Sequence, residues 1–293
     1  MDFFDLHSDS PFESYKRNQS FTDGDLAVTL QKASVFDNWR QLCAIWVPDE
    51  HKDPKGRYRA VLNHFKGQVK IATTAADLRK KTAIMLSLEG GAPIEEIEDV
   101  DGLFLDGVRV ITLTWNGKNK IAGGANTAGE FTPFGKQVVR RMNELHMAVD
   151  MSHLCDRSFF AVLEEAKYPL ATHSCCRSIC HVRRNMTDEQ ILALARKGGI
   201  IGLCLYPAFL GDGNVFEAFY SHLCHLLFMG LEDYIAIGTD FDGAKMDKTL
   251  DSVDKMAVLY NYLQDKGLDD ILLHKLFYKN AQDFFCALLN QTE

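Results

Sequence analysis

The stretch FFDLHSDS, residues 3–10, sets His7 and Asp9 two residues apart behind an apolar lead-in. In an extended strand residues i and i+2 share one side, so an imidazole and a carboxylate converge at the strand's end. Taken alone, the pair fits a solvated strand edge or a turn at least as well as it fits a converging site. The rest of the chain decides between them. After FFDLH (3–7), seven further short apolar runs recur: CAIWV (43–47), AIMLSLEG (83–90), VRVITLTW (108–115), MAVDMSH (147–153), PLATHS (169–174), GIIGLCLY (199–206) and YIAIGTDFDG (234–243). Most lack an apolar/polar alternation, as parallel strands buried on both faces do.

Helical patterns fill the gaps. Residues 133–146 carry a Pro near the start, with Phe134, Val138, Met142 and Leu145 at helical spacing and Arg140, Arg141 and Glu144 on the other side. Residues 187–199 open with Thr187 as N-cap and Gln190 in the capping-box position, and close on Lys-Gly-Gly. Residues 215–231 and 268–290 also read as helices, whereas 10–25, 48–56 and 116–132 read as irregular loops. Eight strands alternating with helices predict a (β/α)8 TIM-type barrel, with a doubly wound open sheet as the second choice. No repeat, low-complexity tract or linker divides the chain, so one domain spanning 1–293 is expected.

The bulk properties agree. A chain of 293 residues with 46% hydrophobic and 25% charged residues has room for two ordinary domains or one α/β barrel. A net charge of −8 argues against a nucleic-acid partner, which needs clustered Lys and Arg. Neither a signal-like N-terminus nor an apolar run near about 18 residues points to a membrane. The eight cysteines include Cys43, Cys204, Cys224 and Cys286 inside apolar runs, and Cys175, Cys176 and Cys180 lack a paired CxxC spacing. They read as reduced thiols of a cytoplasmic protein.

A (β/α)8 barrel does its chemistry at the C-terminal ends of its strands. Those ends carry His7 and Asp9, Glu89, Trp115 and Asn116, His153, His173, Tyr206, and Asp240 with Asp242. Singly, each has an ordinary alternative: a satisfied core histidine, a turn-forming Asp, a helix-capping Glu. Together they fit a metal centre, because carboxylates and neutral imidazoles are ligands for zinc and similar divalent ions. Three His and at least two carboxylates exceed the needs of one tetrahedral zinc. They suggest two metals with a shared carboxylate and a bridging hydroxide, an arrangement suited to hydrolysis.

The same segments resemble the membrane (renal-type) dipeptidase family of zinc peptidases, amidohydrolase-related (β/α)8 enzymes. The resemblance is carried by HSD at 7–9, LSLEGG at 86–91, GVRVITLTWN at 107–116, TPFGKQVVRRMNELHMAVDMSH at 132–153, THS at 172–174, RRNMTDEQI at 183–191 and GTDFDG at 238–243. It implies that His7 and Asp9 bind one zinc, that His153 and His173 bind the other, and that Glu89 bridges the two. Asp240 would be the acid/base for the attacking water and the leaving amine, and Arg184 the partner of the substrate's terminal carboxylate. Tyr206 would line the pocket. One departure stands out: where well-known members place a substrate-contacting His after the fourth strand, this chain has Trp115 and Asn116. A Trp donates but cannot accept or carry a proton, so Asn116 or the metals would take over the oxyanion contact. His181, in CHVRRN, is a weaker substitute.

The implied activity is hydrolysis of small dipeptides by a compact soluble, bacterial-type member, with a homodimer as a possible assembly. The alternatives are an amidohydrolase of another small amide, lactam, lactone or ester, and a barrel without catalysis. Many relatives of the fold carry a carboxylated Lys after strand four. Here Lys118 and Lys120 lie too far into the loop for that role.

Overall fold

In the computed structural model, which describes residues 1–291, eight parallel strands close into a barrel in chain order. They are β1 (Phe3–Ser8), β2 (Trp39–Trp46), β3 (Thr82–Glu89), β4 (Val108–Thr112), β5 (Ala148–Asp150), β6 (Pro169–Ser174), β7 (Ile201–Leu203) and β8 (Ile235–Ile237). Each pairs with the next, and the Asp5–Ile237 pairing of β1 with β8 closes the ring. The (β/α)8 expectation holds, and the open sheet is excluded.

The helices expected at 133–146, 187–199 and 215–231 are present as Pro133–Glu144, Asp188–Arg196 and Val215–Phe228. The capping box of Thr187 with Gln190 is formed. The helix expected over 268–290 is present as Asp270–His274, a π-helical turn Lys275–Lys279, and Asn280–Leu289. Two of the expected loops need correction. Residues Ser10–Arg17 form a helix with Pro11 in its first turn, and it stops at Asn18 in the left-handed region. The helix Pro54–Lys66 begins inside the second, with the Asp53 side chain accepting from Gly56 N–H. The 116–132 segment contains no helix or named strand.

Two apolar clusters make the core. The larger joins strands to the surrounding helices. The smaller gathers Phe4, Leu6, Leu42, Met85, Val110, Ala148, Leu170 and Ala236, which come from seven strands and so can meet only inside the barrel. Ala281, Phe285, Leu288 and Leu289 of the last helix join this cluster, and Phe285 stacks on Phe4 with ring centroids 5.3 Å apart. The last helix therefore closes the N-terminal mouth. The C-terminal mouth stays open.

Several strands are shorter than the apolar runs predict. After β5 and β8 the chain leaves the ladder and presents polar residues from left-handed backbone positions. His153, Asp240 and Asp242 have φ of 67°, 64° and 64°. Such angles are uncommon outside Gly, and they persist only where the surroundings enforce them.

Candidate active site

The C-terminal mouth holds a cavity of about 620 Å³ walled in part by Asp9, Glu89, His153, Arg184 and Asp240. Glu89 ends β3, and Gly90 follows it at φ 92°, where a Cβ would lie 2.1 Å from the Val47 carbonyl oxygen. Only Gly permits that turn. Gly243 leaves space of a different kind, since a Cβ there would meet Asp9 Oδ2 at 2.0 Å and Asp240 Oδ1 at 2.7 Å.

Glu89 lies between two sets of partners. His153 Nε2 is 2.8 Å from its Oε1, and His173 Nε2 is 3.7 Å from the same oxygen. His7 Nε2 is 3.6 Å from its Oε2, 3.4 Å from Asp9 Oδ2 and 3.9 Å from Asp240 Oδ1. The two imidazole nitrogens of His153 and His173 are 2.9 Å apart. Three overlapping groups result: His7 with Asp9 and Glu89; Glu89 with His153 and His173; and His7 with His173 and Asp240. Within each, one ligand atom per residue lies within 4.8 Å of the others.

Burial makes this crowd costly without a cation. Both ring nitrogens of His7 and Oδ1 of Asp9 are buried with no hydrogen-bond partner. Buried polar atoms are normally paired, so orphans that converge with carboxylates fit a metal ion. Burial, with Glu89 and Asp240 adding to it, holds the Asp9 carboxyl well above its usual range. Burial also raises Asp240 to about 7, although His7 pulls the other way. Burial, with Arg184 nearby, lowers His153 to about 4, and it pushes His173 well down in the same direction. Neutral imidazole is the form that binds metal.

The other expected residues fall at different depths. Arg184 places one guanidinium nitrogen 3.2 Å from the His173 carbonyl oxygen, lies over the Phe209 ring at 5.0 Å, and leaves its buried Nε unpartnered. Arg177 braces this loop: it pairs with Asp156 through two nitrogens and donates to the carbonyls of Arg183 and Asn185. Tyr206, edge-on to Phe209, lines the cavity. So does Trp115, edge-on to Trp46, which in turn meets Phe12. Asn116 shares that wall, with its Oδ1 3.0 Å from His153 Nδ1. Asp49 orders the segment carrying both residues, accepting from Trp115 N–H, Gly117 N–H and Asn119 Nδ2.

Asp242 also lines the cavity, but its carboxylate is taken up in accepting from Ser10 Oγ and from Ala27 and Val28 N–H. His181, Lys118 and Lys120 do not line the cavity. Sequence reasoning missed Phe12, Trp46 and Phe209. Trp46 was readable as the last residue of β2, but its apolar character assigned it to the strand interior.

A closed parallel barrel that gathers imidazoles and carboxylates at its C-terminal mouth defines a metallohydrolase-type (β/α)8 protein. The chain belongs to the membrane dipeptidase family (peptidase family M19), whose model matches residues 53–287. It is 30% identical over 243 residues to an uncharacterized protein in the pqqA 5' region of Klebsiella pneumoniae, covering 76% of this chain and 90% of that one. Three other curated relatives are longer, and the match covers 49%, 54% and 44% of their length. Among solved structures, dipeptidase AC, a metallo peptidase of family M19, superposes with a TM-score of 0.89 at 24% identity, covering 100% of this chain and 98% of that one. A metallo peptidase from Rhodobacter sphaeroides, liganded with a phosphinate mimic of the dipeptide L-Ala-D-Ala, gives 0.87 at 22%, covering 100% and 99%. At these identities the superpositions establish the fold. No helix among the described residues is long and apolar enough to cross a membrane.

Proposed function

We propose that this protein hydrolyses the peptide bond of small dipeptides with two divalent ions, zinc in the first instance. His7 and Asp9 would hold one ion and His153 and His173 the other, with Glu89 shared. The observation that carries this reading is the position of Glu89, whose two oxygens face the two histidine sets separately. Bound there, the ions would polarise the scissile carbonyl and lower the pKa of a shared water.

The chain's own residues supply the rest. Arg184 presents a forked cation with a free Nε at one end of the cavity, suited to a terminal carboxylate. β6 and β2 lie on opposite sides of an eight-membered ring, so a substrate held at Arg184 spans the mouth toward Phe12, Trp46 and Trp115. These rings, with Tyr206 and Phe209 opposite, shield the bond to be cut from bulk water while leaving the attacking water in place. Asp240, beside His7 and the cavity, takes the proton of the attacking water and passes it to the leaving amine. Asn116 contacts the substrate from the wall it shares with Trp115. A reducing, cytoplasmic setting is supported by eight free thiols, and a homodimer is part of the proposal.

The test is a panel of L-L, L-D and D-L dipeptides assayed with and without a chelator, alongside metal analysis. Chelator-sensitive cleavage with close to two ions per chain is expected. Dipeptide cleavage that survives full metal removal would overturn the proposal.

A further inference from the structure

Beneath the ligand residues lies a second buried carboxylate whose contacts end on a ring nitrogen. Asp150, the last residue of β5, accepts four hydrogen bonds. Its Oδ1 takes the N–H groups of Ser152 and Thr172, each at 2.9 Å. Its Oδ2 takes the hydroxyls of Thr112 at 2.6 Å and Thr172 at 2.7 Å. A threonine hydroxyl has one hydrogen, and Thr172 donates it to Asp150. Yet Thr172 Oγ1 also lies 2.8 Å from His173 Nδ1. That contact is a hydrogen bond only when Nδ1 carries the hydrogen.

We propose that Thr172, held by Asp150, locks His173 as the Nδ1–H tautomer and so keeps the Nε2 lone pair facing the metal site. Both are positioning residues, and the inference rests on the proposed role of His173 as a metal ligand. Ligand histidines commonly need such a partner on the far nitrogen. His153 has its own partner, because Asn116 Oδ1 accepts from Nδ1. With both rings locked, the two Nε2 atoms, 2.9 Å apart, both present lone pairs, an arrangement that a bound cation would relieve.

Across the barrel Asp5 supplies a natural contrast. It too takes the N–H two residues ahead (His7), the N–H and hydroxyl of a threonine on a neighbouring segment (Thr239), and a fourth donor, Gln41 Nε2. No ring nitrogen is attached to that clamp, and His7 Nδ1 has no partner. The clamp as a structural device is therefore separable from the lock on the ring. Thr112 allows that separation at Asp150 itself: its hydroxyl reaches the same oxygen as that of Thr172, whereas the hydrogen bond of His173 Nδ1 goes to Thr172.

The experiment compares Thr172→Val, Thr112→Val and Thr172→Ser in the full chain. Zinc affinity is read by chelator competition, melting temperature on metal-free protein, and the His173 tautomer from 15N-histidine spectra. Thr172→Val should lower zinc affinity about 10–100-fold, in the range found when such a partner is removed. Thr112→Val should lose comparable stability with affinity near wild type, and Thr172→Ser should restore both. Equal zinc affinity in Thr172→Val and wild type would overturn the inference, as would an equal loss in Thr112→Val. A metal-free wild-type ring with its hydrogen on Nε2 would also overturn it, whether or not the valine variant folds. Wild-type protein that binds no zinc would instead defeat the ligand role of His173, a separate outcome.

Discussion

The two mouths of the barrel are built from the same eight strands and meet opposite requirements. At the N-terminal mouth, Phe4, Leu42, Met85 and Val110 pack against Phe285 and Leu288, and the buried arginines Arg40 and Arg109 donate to nearby carbonyls. At the C-terminal mouth, buried groups of one chemistry crowd together, with orphaned nitrogens on His7 and left-handed angles at His153 and Asp240. The first mouth is filled by apolar packing, with the Nη1 groups of Arg40 and Arg109 bonded while their Nε atoms have no partner. At the second, imidazoles and carboxylates of metal-ligating chemistry converge on one cavity. Substitutions should therefore separate cleanly into those that damage stability and those that damage activity.

The largest effect is expected from Glu89→Ala. It removes the carboxylate both histidine sets share, so metal content and turnover should fall to background while the metal-free protein keeps its melting temperature. A large loss of stability without loss of metal would reverse the comparison. Asp240→Asn should retain both ions yet lower kcat by about 10²–10⁴-fold, the usual worth of a positioned acid/base. Near-normal turnover would remove Asp240 from that role.

At the opposite mouth, Phe285→Ala should cost about 3–5 kcal/mol of stability through cavity formation. Activity per folded molecule should stay unchanged, as denaturant titration beside a kinetic assay would show. Arg184→Met should raise KM for free dipeptides about 10–100-fold, the worth of charge-assisted hydrogen bonds. It should spare substrates with an amidated C-terminus, and an unchanged KM would sink the carboxylate assignment.

The smallest effect concerns Asp77, near the closed mouth, where Lys80 leads the contacts that hold its carboxyl down at about 2. A depressed folded-state pKa contributes stability above the ordinary carboxylate value, and that contribution is lost as pH falls through about 2. Asp77→Asn should cost about 0.5 kcal/mol at pH 7, and its difference from wild type should shrink between about pH 4 and pH 2. A difference that stays constant with pH would show that the charge is not involved.

Much of this arrangement was legible beforehand because barrel topology converts sequence order into spatial order. Once FFDLH and the later runs read as buried parallel strands, His7, Glu89, His153, His173 and Asp240 had to share one mouth. The helix at Ser10–Arg17 was hidden because it is only eight residues long, with Phe12 and Tyr15 its only large apolar side chains. Trp46 was hidden for a different reason, since a strand-end aromatic looks the same whether it faces core or cavity. Asp5 and Asp150 carried no signal at all, being single acidic residues inside apolar runs.

Strand order, the barrel, and the residue types that crowd its C-terminal mouth were all written in the chain, because they depend on periodicity and on the order of short segments. How those side chains are oriented was settled only by tertiary packing. That Asp242 latches to Ser10 and Ala27, that Asn116 faces His153, and that Thr172 bonds Asp150 are contacts between separate strands and loops. Hydrogen bonds are fixed by tenths of an ångström and by direction, and those quantities exist only once the barrel has closed.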